Sequence, residues 1–430
     1  MDRERDGDNT IDWQGERDRP WNGNSSLSTG AGGSFHLNLS QHSSYSSSGA
    51  ANQSAKTISF SEDFERAVSE WDAFTRNGNN TSGSSKSSGR GLGGPLYDWL
   101  DSEAAQRVMD RLQLELDSEI DSTVRRRTHG LLRFLLKRYQ TLPLSLFILK
   151  VQREGRNPVA AGGFADIFRG SVDKNPVCLK VLRFTVEQDE NTRAQMRKQF
   201  CHEALVWRQL NHPNVLPLLG VNTELFFPSF CLISPWMDQK DIIAFLKKNP
   251  AHNLLSVFLE VAAGMRYLHS RNPPVIHGDI RGGNILVTDD YRCCLADFGL
   301  AIVTTDSQSW SITTSDANSK GSMRWMAPEY INSTGSFPNH TSRDVYAYAC
   351  TIIEIITRKP PFQELKNDPS VLFALMERKR PSRPEDVWCT DEIWNLVAQC
   401  WAQSMHDRPG ADEIYSKLAS FSGAASNLDL

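Results

Sequence analysis

An acid five residues ahead of an amide, followed by a second acid, is the pattern in this sequence with the most chemical potential. It reads His277-Gly-Asp-Ile-Arg-Gly-Gly-Asn284, then Ile285-Leu-Val, then Leu295-Ala-Asp-Phe-Gly299. In-line phosphoryl transfer needs these parts: a carboxylate to orient the attacking hydroxyl and take its proton, and oxygen ligands for an octahedral magnesium ion. On that reading Asp279 is the base, and Asn284 and Asp297 hold the metal. Arg281, two residues after the base, sits where a cation would neutralise the transferring group.

A single Asp in a loop is ordinarily a turn residue, so the weight lies in the residues that accompany it. Val177-Cys-Leu-Lys180 ends an apolar run with a lysine whose stem can be buried while its ammonium reaches anionic oxygen. A buried lysine needs a carboxylate partner, and Glu203, on a helical segment ahead of His212-Pro-Asn-Val215, is the candidate. Trp207, one turn further on the same face, can pack beneath the site. Upstream, the stretch from Val159 to Ile167 contains Gly162, Gly163 and Phe164 between two predicted strands. A glycine turn lets backbone N–H groups approach phosphate oxygens, although alone it is equally an ordinary hairpin.

These residues need a frame. β-type runs at Leu146–Val151, Ala165–Arg169 and Val177–Leu182 give way to long helical periodicities, with the join near Pro235-Trp236-Met237. The fold class is therefore α+β and bilobal: a small β-rich lobe, then a large helical one. That domain is expected over residues 143–421, with a short tail at 422–430. Residues 96–142 carry two helical runs (Val108, Leu112 and Leu116; Leu131, Leu132, Phe134, Leu135 and Tyr139), forming a cap on the domain or a small interaction module. Residues 1–95 are rich in Ser, Gly and Asn and are expected to be disordered, apart from one short helix at 60–76. There Phe60, Phe64, Val68 and Trp71 fall at helical spacing, Ser61 can cap the start, and Asn77-Gly78 ends the run. That helix is transient, packs on the folded domain, or docks a partner and folds on binding.

The chain has 430 residues and a formal net charge of -4, which gives no electrostatic ground for a nucleic-acid or anionic-membrane partner. Arg125-Arg126-Arg127 and Arg378-Lys379-Arg380 read as solvated helix faces. No apolar stretch is long enough to span a bilayer and no secretory leader is visible, so a cytoplasmic protein is expected, with the nucleus open. The 8 cysteines lack metal-like spacing, and adjacent Cys293 and Cys294 read as reduced core thiols.

With Met326-Ala-Pro-Glu329, Asp344-Val-Tyr-Ala-Tyr-Ala, Cys400-Trp401 and Arg408-Pro409 added, the chain from about 144 to 421 resembles a eukaryotic protein kinase domain of the tyrosine-kinase-like group. The resemblance implies Mg-ATP as phosphoryl donor and a protein substrate as acceptor. It implies that Glu329 pairs with Arg408, that Asp344 anchors the catalytic loop, and that Ser234 is the gatekeeper. It further implies adenine against the Met237 backbone, ribose near Asp241, and the base sandwiched by Val159, Ile167, Cys178 and Leu286.

The sequence departs from the family pattern in places. Ala160 and Ala165 replace two loop glycines, which predicts weakened ATP binding. Gly278 stands where the family's arginine receives a phosphate from the activation segment, so phosphates on Thr304, Thr305, Ser311, Thr313 or Thr314 lack their usual receptor. Activity independent of such phosphorylation is expected. Arg281 replaces a lysine common in serine/threonine kinases, while Ser322 stands where those kinases carry a threonine. Serine or threonine is the favoured acceptor, with tyrosine or dual specificity open. The alternative, a nucleotide-binding pseudokinase scaffold, draws only on the thin glycine loop and Gly278.

Overall fold

The computed structural model describes residues 50–79, 97–118, 121–161, 165–183, 190–298, 302–303, 322–330, 340–385 and 387–425. Three helices lead the chain: α1 (Ala50–Asn79), α2 (Ser102–Asp117) and α3 (Ser122–Tyr139). The Asp101 carboxylate accepts from the Ala104 N–H at 2.7 Å and starts α2, and Asp121 does the same for α3. Gln140, in the left-handed conformation at φ 51°, ends α3. Val108, Leu112 and Leu116 of α2 and Leu131, Leu132 and Leu135 of α3 are buried, the stripes expected from their spacing.

α1 begins ten residues before the predicted start at 60 and continues to Asn79. Its upstream part holds helix-forming Ala, Gln and Lys without an apolar stripe, so periodicity gave no sign of it. The helix packs on the other two: Ala67 is fully buried, the Tyr97 hydroxyl donates to its carbonyl at 2.8 Å, and the Trp71 and Phe134 rings lie 5.6 Å apart. The remainder of the predicted tail, 1–49 and 80–95, lies outside the described residues.

Leu146–Val151 is not the predicted strand. Pro143 leads into a 3-10 turn at Leu144–Leu146, Asp110 takes the Leu144 N–H, and Phe147 makes only an isolated bridge to Val221. Leu149 is exposed, so the apolar run is not a buried strand at all.

The small lobe is an antiparallel sheet of β1 (Gln152–Arg153), β2 (Ala160–Ala161), β3 (Ala165–Val172), β4 (Asn175–Leu182), β5 (Gly220–Asn222) and β6 (Phe230–Pro235), in the order β1-β3-β4-β6-β5, with β2 on β3. Val177, Leu179 and Val181 alternate into the core of this sheet, which turns Cys178 and Lys180 to the opposite face. Helix α4 (Glu190–Arg208) lies between β4 and β5 in the chain. It abuts the leading helices: Arg208 reaches Asp117, and Gln209 donates to Gln113 at 3.0 Å.

The large lobe runs through α5 (Ile242–Lys248), α6 (Leu254–His269), β7 (Val275–Ile276), β8 (Ile285–Val287), β9 (Cys293–Leu295) and β10 (Ile302–Val303). It continues with α7 (Ser342–Thr357), α8 (Asp368–Met376), α9 (Asp391–Cys400) and α10 (Ala411–Ala425). α7 is buried along almost its entire length and forms the axis of the lobe. β8 and β9 make a two-stranded ribbon, with Ile285 opposite Leu295, and this brings the two acidic motifs together. Cys293 and Cys294 are buried free thiols, as read from the sequence. In the basic runs Arg126, Arg378 and Lys379 are exposed, while Arg125 donates to the Leu116 and Ser118 carbonyls and Arg380 to that of Trp401. No helix among the described residues is long and apolar enough to cross a membrane.

Candidate active site

Strand alternation delivers Lys180 to the cleft, and α4 delivers Glu203 to meet it. The Lys180 Nζ lies 2.9 Å from Glu203 Oε1 and 2.7 Å from Asp297 Oδ1. Burial works against the ammonium, but the charges of Asp297 and Glu203 outweigh it and hold the Lys180 pKa above its ordinary value. Asp297 is turned toward the lysine by a left-handed backbone, φ 65°, which Asp tolerates better than most side chains. The next residue, Phe298, is buried 5.6 Å from the Trp207 ring and 5.0 Å from His277. Trp207 therefore packs beneath the site, its indole N–H bonded to the Leu216 carbonyl.

The loop from His277 to Asn284 hangs on α7. Asp344, fully buried in the first turn of that helix, accepts from the backbone N–H groups of His277 and Gly278, each at 2.8 Å. Burial alone would raise its pKa; the His269 hydrogen bond at 2.9 Å, the neighbouring histidines and the Gly278 N–H bring it below the ordinary value. His277 is buried, which lowers its pKa and favours a neutral ring. Its Nε2 lies 3.0 Å from the Ala296 carbonyl and its Nδ1 accepts the Asp279 N–H at 3.3 Å, so the proton belongs on Nε2.

Asp279 is held at one oxygen. Asn284 Nδ2 donates to Asp279 Oδ2 at 2.7 Å, and Arg281 Nε at 3.3 Å. Among the described residues no donor reaches Oδ1. The Asn284 Nδ2 also donates to the Asp279 carbonyl at 2.8 Å, which fixes the amide so that its oxygen is the end left for a ligand. An amide oxygen and the half-exposed Asp297 carboxylate suit a hard cation such as Mg2+, which takes its other ligands from water and phosphate. The residues present thus fit such a cation.

Glu354 belongs to this site and was not singled out from the sequence. It accepts from the Gly282 N–H at 2.7 Å and the Trp325 indole at 3.0 Å, tying the loop to the segment that precedes Met326. Burial pushes its pKa up to about 7, against those two donors and Arg281. A Cβ at position 282 would come within 3.0 Å of the Ile243 and Glu354 side chains, so any larger residue there would force them to shift. The available signal was an acid inside the apolar run Thr351-Ile-Ile-Glu-Ile-Ile-Thr357.

On the adenine side, Cys178 stands opposite Ser234 in the β4–β6 register, and Ser234 is buried. Ile167 stands opposite Lys180, and the Val159 N–H bonds to the Ile167 carbonyl. Ala165 opens β3 opposite Leu182. Met237 and Leu286 pack partly buried on the core. Asp241 bridges to Leu286, and its Oδ1 accepts the Ala244 N–H at 2.9 Å as the cap of α5. Gly162, Gly163, Phe164 and Gly299, with the Thr and Ser positions at 304–314, lie outside the described residues. Further off, Arg408 grips both oxygens of Glu329 at 2.7 Å each.

Comparison with known proteins agrees with this geometry. The profile of the family described as protein tyrosine and serine/threonine kinase matches residues 154–418. The serine/threonine-protein kinase STY17 of Arabidopsis thaliana is 30% identical, over 63% of this chain and 44% of its own. The serine/threonine/tyrosine-protein kinase HT1 of the same plant is 28% identical, over 62% of this chain and 65% of its own. The serine/threonine-protein kinase CTR1 of Arabidopsis thaliana is 27% identical over 61% of this chain and 31% of its own, so the match spans less than two thirds of each relative. The similarity to the tyrosine-kinase-like group read from the sequence motifs holds, and the chain belongs to the protein tyrosine and serine/threonine kinase family.

Proposed function

We propose that the protein is an active kinase transferring the γ-phosphate of Mg-ATP to serine or threonine hydroxyls of protein substrates, in cytoplasmic signalling. The observation that carries this is the state of Asp279: one oxygen engaged by Asn284 and Arg281, the other without a donor among the described residues. Asp279 Oδ1 orients the acceptor hydroxyl and takes its proton. Lys180, kept charged by Asp297 and Glu203, receives phosphate oxygens. Arg281 offsets charge on the transferring group; burial opposes its charge, but Asp279 and Asp297 keep its pKa raised. The Asn284 amide oxygen and Asp297 hold the metal, and bound Mg-ATP supplies the phosphoryl group and a cation that draws charge from it.

Serine/threonine specificity is supported by Ser322, by the absence of a tyrosine-kinase loop sequence after Asp279, and by the names of STY17 and CTR1, while that of HT1 includes tyrosine. A scaffold would be expected to have lost the base, a metal ligand or the lysine, and Asp279, Asn284, Asp297 and Lys180 all stand. The test is Mg-ATP phosphate transfer to a protein acceptor by purified full-length protein and by Asp279→Asn. Transfer by the wild type that falls on the order of 100-fold or more in the variant is expected. Equal transfer by both, or none by the wild type, overturns the proposal.

A further inference from the structure

The peptide plane that carries the catalytic base is held from both sides. The Gly278 carbonyl and the Asp279 N–H belong to one rigid amide. His277 Nδ1 accepts the N–H at 3.3 Å, and Arg343 Nη2 donates to the carbonyl at 2.9 Å. Arg343 directly precedes Asp344, so adjacent residues of α7 take the Gly278 N–H and the Gly278 carbonyl. Gly278 itself lies at φ 84°, a backbone state that glycine enters without the strain an L side chain would meet.

A cation in the first turn of a helix opposes the helix dipole, so Arg343 stands against local preference. Its guanidinium lies 4.8 Å over the ring of Tyr330, the residue after Glu329. It thus joins the base-bearing loop to the segment that Arg408 braces. In kinases with an arginine at the position of Gly278, that connection runs through a removable phosphate. Here the guanidinium enters from a residue 65 positions later and rests on a permanent aromatic face.

We propose that Arg343 is a positioning residue for Asp279, replacing the missing arginine and making the alignment of the base independent of activation-segment phosphate. The inference rests on the kinase reading above. Its consequences for the loop are structural as well as kinetic, so the two can fail separately.

The experiment compares wild type, Arg343→Ala and Arg343→Lys as full-length proteins. Hydrogen–deuterium exchange is read over residues 275–284 and 326–330, alongside kcat and KM for ATP. In Arg343→Ala, exchange rises in both segments and kcat falls by up to about 100-fold, while KM for ATP stays within about twofold. Arg343→Lys, which keeps a charge and a donor, recovers most of both readouts. Raised exchange in a wild-type background that shows no transfer supports the positioning role and sinks only the kinase reading. A folded Arg343→Ala protein with wild-type loop exchange overturns the inference, as does a kcat loss that lysine leaves uncorrected.

Discussion

Arg208, the last residue of α4, reaches across to Asp117, the last residue of α2, at 3.1 Å. Beside it Gln209 meets Gln113, and Cys201 Sγ lies 3.8 Å from the Gln140 carbonyl. The helix that carries Glu203 is therefore backed by the leading helices. The ion pair is partly exposed and contributes roughly 0–1 kcal/mol. The apolar packing carries more: Leu132→Ala, at a fully buried position, is expected to cost about 2–5 kcal/mol. Thermal unfolding checks this, with Asp117→Ala as the near-neutral control. A Leu132→Ala protein as stable as the wild type would show that this packing contributes little.

Glu203→Gln leaves Lys180 with Asp297 as its one charged partner among the described residues. A fall in kcat on the order of 100-fold is expected, read by steady-state transfer, because the ammonium is no longer fixed where phosphate arrives. Retained kcat would mean that Asp297 alone positions the lysine.

Glu354 gives a pH dependence of definite sign. Its pKa is about 7 in the folded protein against a reference of 4.5, so the native state binds the proton more tightly. Its contribution to stability is full at low pH and is lost as pH rises through about 7, by up to about 3 kcal/mol. Glu354→Gln keeps an oxygen for Gly282 and Trp325 but does not titrate. The stability of wild type relative to this variant should fall between about pH 5 and pH 8, measured by urea unfolding. A flat difference would contradict the buried-acid account.

Arg408 has a fully buried side chain, and Glu329 is its carboxylate partner. Glu329→Ala leaves the guanidinium without that partner and is expected to cost about 3–5 kcal/mol. Thermal unfolding measures it. A loss below about 1 kcal/mol would mean that the Ala402 and Ser342 carbonyls suffice to hold the arginine.

Phosphatase treatment of active protein should leave turnover within about twofold, since neither Gly278 nor the Arg343 contacts require an added charge. Abolished turnover would contradict this.

Local spacing made Lys180, Asp279, Asn284 and Asp297 legible, because taken together in short stretches they supply the parts that phosphoryl transfer needs. Arg343 and Glu354 were not legible as parts of the site. Their partners lie 65 and 72 residues away, and only the rotation of α7 decides that both face the loop. The misread strand at Leu146–Val151 has a similar cause: Pro143 and the distant carboxylate of Asp110 govern the turn, whereas the reading followed the apolar run. Helix α1 was found where its stripe touches α2 and α3 and missed where it carries none.

Along α7, Arg343, Asp344, Thr351 and Glu354 each hold a backbone group of the loop between His277 and Gly282. A loop suspended at so many points from the axis of its lobe has no independent way to melt. Activity and the fold of the large lobe are thereby joined in one cooperative unit. On heating, the catalytic loop should stay ordered until the lobe itself gives way, so that inactivation and unfolding of that lobe share a single transition.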